Sequence, residues 1–437
     1  MIDKIEKAGI SGAGGAGFPT FFKLGAKAEY YIINAAECEP LLESDRNIML
    51  RNAEKIISGI KKVKKIIDFK KAYIGIKQKN TDCGELLKKF IDVDYIEVKI
   101  LKNIYPSGDE QVMIYEILGK IVPEGGIPLN IGVIVNNVET VYRIEKAISE
   151  NEVFNKRYVT VNGEIEKPCV MELPLGISFS DILEFAGKKK GINYIAIDGG
   201  PMMGKITDIK DGVVKKTTSG ILFLSENHEL ILRKTQSIKN IFAQAQASCC
   251  NCMTCTELCS RYLIGHRMEP HKIMRALCSQ NFDEKIFEYA TLCSECNICE
   301  LYACPINLSP KTVNQFLKEK FRKEGKKINI KKDSYEAPEE RSGRQIPSDR
   351  IINRLDIKKY YKKLEFKDEI PEFTKVFLKL SQHIGAPSKP IVSVGQNVKK
   401  GDIIAEKNGN LSMPLHSSVD GKVVEVGSDT IIIEVSI

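Results

Sequence analysis

At 437 residues the chain is long enough for several domains of about 100–200 residues each. Its 43% hydrophobic and 28% charged residues are ordinary for a globular protein, and no run approaches 18 apolar residues, which excludes a transmembrane helix of the usual kind. The opening MIDKIEKAGI lacks the apolar centre of a signal peptide, so a cytoplasmic protein is expected. The net charge of +8 lies along lysine runs such as Lys61, Lys62, Lys64 and Lys65, or Lys188, Lys189 and Lys190. These runs lack interleaved aromatics and any nucleic-acid module, so nucleic acid is not the expected partner. An anionic nucleotide or an acidic protein surface fits the charge better.

Residues 1–150 alternate between helical and strand patterns. Strand-like runs at 30–35, 72–77, 95–100 and 132–136 are separated by helical patterns such as 52–67 and 110–118. This predicts an α/β domain with a largely parallel sheet. Near its start lies Gly12-Ala13-Gly14-Gly15-Ala16-Gly17-Phe18-Pro19-Thr20. Such glycines let backbone N–H groups approach a phosphate with no Cβ in the way. The string satisfies G-x-G-x-x-G, but a Rossmann fingerprint should follow a strand, and residues 2–8 read as helix. Alone, the loop could equally be unliganded.

Residues 151–235 form a second unit. Within it an expected hairpin turn at Asn162-Gly163 leads to a strand and then to a helix whose N-cap should be Ser180, a compact β-grasp-like pattern.

Residues 240–325 are helical around two cysteine runs. Cys249, Cys252, Cys255 and Cys259 read C-x2-C-x2-C-x3-C. Cys293, Cys296, Cys299 and Cys304 read C-x2-C-x2-C-x4-C-P, closed by Pro305. Three thiolates at two-residue gaps suit three irons of one cubane, and the distant fourth reaches the neighbouring cluster. Zinc ribbons use separated C-x2-C pairs instead. Two [4Fe–4S] clusters and one-electron transfer are therefore expected. Cys250 could compete with Cys249, but only Cys249 keeps the two-residue gap to Cys252. Cys38, Cys83, Cys169 and Cys278 read as small apolar residues. His266 and His271, between the runs, read as structural.

Residues 326–372 are charged and read as a linker, partly ordered at best. Residues 374–437 contain two strand–turn–strand halves, GQNVKKGDIIAEKN and SSVDGKVVEVGSDT, as in a small lipoyl- or biotinyl-type β-sandwich. The turn MPLHSSVDG carries no lysine for a swinging arm, so a structural or docking role is expected.

Three further motifs accompany the glycine string: Asn34-Ala35-Ala36-Glu37-Cys38-Glu39-Pro40, Tyr105-Pro106-Ser107-Gly108-Asp109-Glu110-Gln111, and Val135-Asn136-Asn137-Val138-Glu139-Thr140. Together they resemble the FMN- and NADH-binding subunit of respiratory complex I, with its relatives the RnfC protein of the Rnf electron-transport complex and the cobalamin reductase of propanediol-utilisation microcompartments. The stretch from Asp198 to Gly204 and the paired cysteine runs match the latter two. The sandwich lies at the C-terminal end, as in the microcompartment reductase, whereas it leads in the Rnf protein.

This resemblance implies a multidomain α/β protein: a complex I flavin-subunit-like α/β domain, a β-grasp (SLBB-like) domain, an α-helical two-cluster ferredoxin-like domain, and a C-terminal β-sandwich of the barrel-sandwich hybrid kind. It implies that Gly12, Gly14, Gly15 and Gly17 wrap the FMN phosphate and ribityl chain, with Lys23 as the cation. Asn34, Glu37, Asn136 and Asn137 would hydrogen-bond the flavin. Glu39 and Glu110 would hold NADH, with Phe18 against a ring and Tyr105, Gly108 and Asp109 completing the site. Three departures stand out. Leu24-Gly25-Ala26 replaces a second aromatic, Asp109 replaces the more usual glutamate, and four residues rather than three precede Cys304. The implied activity is NADH-dependent reduction of a cofactor such as cobalamin, or of a partner protein, through FMN and two [4Fe–4S] clusters. Alternatives are a peripheral component of a membrane Rnf-type complex, or a non-enzymatic electron-transfer or docking module. No acid–base or nucleophilic constellation is required.

Overall fold

The computed structural model describes residues 1–279, 285–326 and 334–436. Strands Ile96–Leu101, Lys71–Lys77, Tyr30–Ala35 and Val133–Asn137 lie side by side in that order, all parallel. All but the edge strand Ile96–Leu101 are largely buried on both faces. Helices Ser44–Ile66 and Val138–Glu150 cover one face through Ile56, Ile60, Val141 and Ile144. Helix Glu110–Leu118 covers the other, with Met113 and Ile114 against Ile32, Val133 and Val135. From Tyr30–Ala35 the chain steps to one side for two strands, then returns to the other side for Val133–Asn137. That reversal opens a crevice at the carboxyl ends of Tyr30–Ala35 and the edge strand Val133–Asn137, where open α/β sheets bind ligands. The helix expected from residue 52 begins at Ser44, because Asn52 marks a kink (φ −135°, ψ 29°) within one longer element.

The β-grasp unit is a mixed sheet in which Lys156–Gly163 pairs antiparallel with Cys169–Pro174 and parallel with Gly220–Ser225. Asn162-Gly163 is not the hairpin turn. Gly163 still pairs with Phe223, and the loop follows over residues 164–168. Nor does Ser180 cap the helix: Ser178 does, accepting from Asp181 N at 3.0 Å. Ser178 has the extended backbone a cap needs, whereas Ser180 already lies inside Phe179–Ala186.

The C-terminal strands form two small sheets, one ordered Lys375–Lys379, Thr430–Val435, Gly421–Val426 and Asn397–Val398. They share one apolar core with the β-grasp unit, in which Val376, Leu378 and Ile433 pack with Leu173, Leu175 and Ile177. The turn that would bear a swinging arm is buried there, with Ser418 Oγ donating to Leu175 O at 2.6 Å.

The expected linker is corrected most. Residues 327–333 lie outside the described residues, but 334–372 form a packed strap. Ile346–Pro347 pairs with Ile104–Tyr105, and Phe366–Lys367 pairs with Cys169–Pro174. Ile346, Ile351, Ile352, Leu355 and Ile357 are buried beside Tyr105, Ile298 and Leu301. A few apolar residues on the short helix Ser348–Arg354 anchor it, and the surrounding charge masked them. Replacing Ile351 by Ala should lower stability by about 2–5 kcal/mol in denaturant unfolding. A loose tether would change by less than about 0.5 kcal/mol.

Candidate functional site

The glycine loop lies at the carboxyl end of Val133–Asn137, where a Cβ on Gly14 would stand 3.5 Å from Asn137 Cβ. Gly12 N donates to Phe18 O at 2.8 Å, closing the loop on itself. Gly15 has φ +98° and nothing within 4 Å of where a Cβ would stand, so this side of the loop is open. Its other side is fixed. Ala13 N donates to Thr140 Oγ1 at 2.9 Å, and Ala13 O accepts from Arg157 Nη2 at 2.5 Å. Arg157 is fully buried and pairs with buried Glu139 at 2.6 Å. At Gly17 (φ +67°) a Cβ would meet Thr217 Cγ2 at 3.0 Å and His383 Cα at 3.2 Å. Gly17 O also accepts from Ile384 N at 3.0 Å. The β-grasp unit and the C-terminal sandwich thus buttress the loop from behind.

Around the crevice the polar residues divide into two groups. Asn136 Nδ2 is buried with the Tyr31 hydroxyl as its polar neighbour, and Lys23 Nζ donates to Val135 O at 2.9 Å. Burial lowers the Lys23 pKa while Glu110 raises it, and burial raises that of Glu110 while Lys23 lowers it. A half-compensated cation beside an open glycine loop fits the phosphate of a flavin. The second group is already engaged. Asn34 Nδ2 donates to Gly108 O and its Oδ1 accepts from Ala36 N. Glu37 accepts from Ser44 Oγ, Asp45 N and Arg46 N, holding the first turn of Ser44–Ile66. Asn137 Oδ1 caps Val138–Glu150, and its Nδ2 donates to Asp45 Oδ2. Glu39 accepts from Met202 N (2.9 Å) and Met203 N (3.0 Å) and lies 3.2 Å from Tyr105 Oη, which ties the crevice to the β-grasp loop. Asp109 caps Glu110–Leu118 through Gln111 N and Val112 N.

The two cysteine runs fold alike. Asn251 and Met253 in the first run, and Glu295 and Asn297 in the second, all have positive φ at matching positions. These left-handed steps curl the backbone around sulfur; Glu295 N, for example, donates to Cys293 Sγ at 3.3 Å. The runs are interleaved. Cys249, Cys252 and Cys255 line a small open pocket together with Cys250 and with Cys304 from the other run. Cys259 in turn faces Cys293 and Cys296, and Cys299 is acted on by all three of these thiols. Burial, the largest cause, and neighbouring thiols push Cys255 up to about 12 and Cys293 up to about 11, so bound iron would have to displace their protons. Among the described residues no three His, Cys, Asp or Glu side chains converge closely enough to grip a single metal ion. Cys250 is exposed and Cys249 half-buried. The extra residue before Cys304 falls in a π-helical turn, Ile298–Ala303, whose wider coil absorbs one insertion and still delivers Cys304 to the outer set.

Four family models match in chain order: the Nuo51 FMN-binding domain over residues 5–146, the SLBB domain over 158–205, the 4Fe-4S dicluster domain over 248–309, and the RnfC barrel sandwich hybrid domain over 355–435. The cobalamin reductase PduS of Salmonella typhimurium is 36% identical over 439 residues, covering 98% of this chain and 95% of the relative. The chain belongs to the PduS cobalamin reductase family. Its Citrobacter freundii counterpart is also 36% identical, over 433 residues with the same coverage. An RnfC-type component of the proton-translocating ferredoxin:NAD(+) oxidoreductase complex of Clostridium ljungdahlii is 33% identical over 268 residues, 60% of this chain and 56% of that one. Like the rest of its family by domain content, the protein is a flavo-iron–sulfur electron-transfer protein and an oxidoreductase, with FMN and [4Fe–4S] clusters as its cofactors.

Several residues in the site were not singled out from sequence. Arg157 comes from a distant segment that no local pattern marks, while Thr140 closes the Val135–Thr140 motif without having been given a role. Phe22 had a visible signal: it is 54% exposed and stands edge-on to Phe18 at 6.0 Å, beside the place where the second aromatic is absent. Two outcomes test this geometry. Cys304→Ser should abolish the same electron paramagnetic resonance signal as Cys255→Ser, and a different one from Cys299→Ser, despite sharing a run with Cys299. Gly17→Ala should weaken FMN retention at least tenfold in dialysis while leaving iron content unchanged, since φ +67° strains an alanine and its Cβ would crowd the His383 backbone.

Proposed function

We propose that the protein oxidises NADH at the open end of the parallel sheet and delivers single electrons, at the solvent-facing end of the cysteine helices, to cobalamin or to a protein that carries it. Bound FMN supplies the exchange between a two-electron hydride and single electrons, and the clusters carry one electron each. The observation that carries the reading is the order of the sites. The inner cysteine set abuts the sheet end, where Tyr105 Oη donates to Cys296 O at 2.8 Å. The outer set opens to solvent at Cys250 and Cys252.

In this reading Gly12, Gly14, Gly15 and Gly17 present backbone N–H groups to the FMN phosphate, with Lys23 as counter-charge and Asn136 at the ring edge. Phe18 and Phe22 offer two faces to the bases of NADH, and Glu110 accepts from its hydroxyls. Asn34, Glu37, Glu39, Asn137 and Asp109 act from behind by fixing the loops that carry these groups, with Tyr105 and Gly108 packing the wall between flavin and cluster. Cys249, Cys252, Cys255 and Cys304 hold the outer cluster; Cys259, Cys293, Cys296 and Cys299 hold the inner one. The full-length match to cobalamin reductases favours a corrinoid acceptor over a membrane complex, whose RnfC-type component matches only 60% of this chain. Among the described residues no helix is long and apolar enough to cross a membrane. The same reading puts the protein in the cytoplasm, free or within a microcompartment.

Anaerobic NADH titration tests this directly. Stoichiometric NADH should bleach the flavin band, and added cob(II)alamin or cob(III)alamin should restore it. Bleaching without reoxidation would remove cobalamin as acceptor, and no bleaching would remove NADH as donor. Phe22→Ala should raise the KM for NADH several-fold with little change in kcat, the pattern of lost ground-state stacking.

A further inference from the structure

A buried cation lies between the sheet end and the inner cysteine set. Arg261 follows Cys259 by two residues and is only 9% exposed. Its Nη1 lies 2.7 Å from Asp109 Oδ1, the oxygen that also caps helix Glu110–Leu118. Ser260, between Cys259 and Arg261, has its Oγ 3.7 Å from Cys296 Sγ. The Cys296 and Cys259 thiols act electrostatically on Arg261, and Asp109 acts on Cys296. Arg261 also acts on Glu110 across the crevice. A full positive charge and a full negative charge therefore both lie within electrostatic range of the sulfur ligands nearest the sheet.

We infer that Arg261 and Asp109 are an opposed pair that sets the reduction potential of the inner cluster, and so how readily it accepts an electron from the flavin side. This rests on the assignment of Cys259, Cys293, Cys296 and Cys299 to one [4Fe–4S] cluster. Taking up one electron makes that cluster one unit more negative. Cluster potentials respond to nearby charge and to hydrogen bonds at sulfur. A guanidinium keeps its charge at all working pH values and is weakly screened when buried, so Arg261 favours the reduced cluster. Asp109 opposes it. A purely mechanical joint behaves differently, because removing either half of the ion pair would loosen the same contact. Opposed charges instead give effects of opposite sign.

The test is a redox titration followed by electron paramagnetic resonance on the anaerobically purified full chain. The inner cluster is identified as the signal lost in Cys299→Ser. In Arg261→Gln its reduced-to-oxidised ratio at a fixed potential should fall about tenfold, a shift of about 59 mV for one electron. In Asp109→Asn the ratio should rise. Arg261→Lys should stay within about twofold of the unmodified protein, and the outer cluster should not move in any variant. Shifts of the same sign in Arg261→Gln and Asp109→Asn, or no shift in either, would overturn the inference. Should Arg261→Gln lose the cluster, the other two variants decide: a ratio that fails to rise in Asp109→Asn, or that falls in Arg261→Lys, overturns it. Absence of a second cluster signal in the unmodified protein would overturn the cluster assignment itself.

Discussion

Everything in this molecule depends on how the carboxyl end of one parallel sheet is docked against two loops of cysteine. The docking is made of buried polar contacts. Tyr105 reaches both Glu39 and Cys296 O, and Asn297 Nδ2 donates to Met202 O at 2.5 Å. Glu124, buried on the sheet side, pairs with Arg267 at 2.7 Å. Each of these groups would leave a costly unpaired partner if the units slid or separated. Apolar surface alone would let the units settle in many registers. Directional bonds select the one that sets a cluster beside the flavin crevice, which is what single-electron transfer requires.

The same logic secures the crevice itself. A glycine-rich loop is the least self-determined part of a chain, since glycine loses the most conformational freedom on folding. Here its outer face stays open while its inner face is pinned by Arg157, Thr140 and the segment after Gln382. Arg157 is in turn balanced by Glu139, and Arg143 joins Glu139 to Glu172 of the β-grasp sheet. A buried charge network therefore couples the shape of the loop to the seating of two other units. The C-terminal sandwich, which lacks a lysine at its carrier turn, belongs to this support.

Much of the fold was legible because its signals are local. Strand Tyr30–Ala35 and helix Glu110–Leu118 fall where the patterns put them, and the spacing of the cysteine runs already implied an exchange of their fourth ligands. What was not legible concerns partners distant in sequence. A carboxylate such as Glu37 or Glu39 looks the same in sequence whether it meets a ligand or the backbone of its own chain. The structure gives both of them internal partners. The strap after residue 334 was hidden because a few isoleucines anchor it within a charged stretch. The π-helical turn before Cys304 was visible only as one residue too many, and its effect on ligation depended on backbone geometry that spacing does not encode. Arg261 sits in plain view after Cys259, but nothing in the sequence pairs it with Asp109.

The central claim is that one chain holds a flavin and two iron–sulfur cubanes in sequence. It is tested most directly by composition. Protein purified without oxygen should contain one FMN, about eight iron and about eight acid-labile sulfide per chain. A colourless protein holding zinc and no flavin would contradict it.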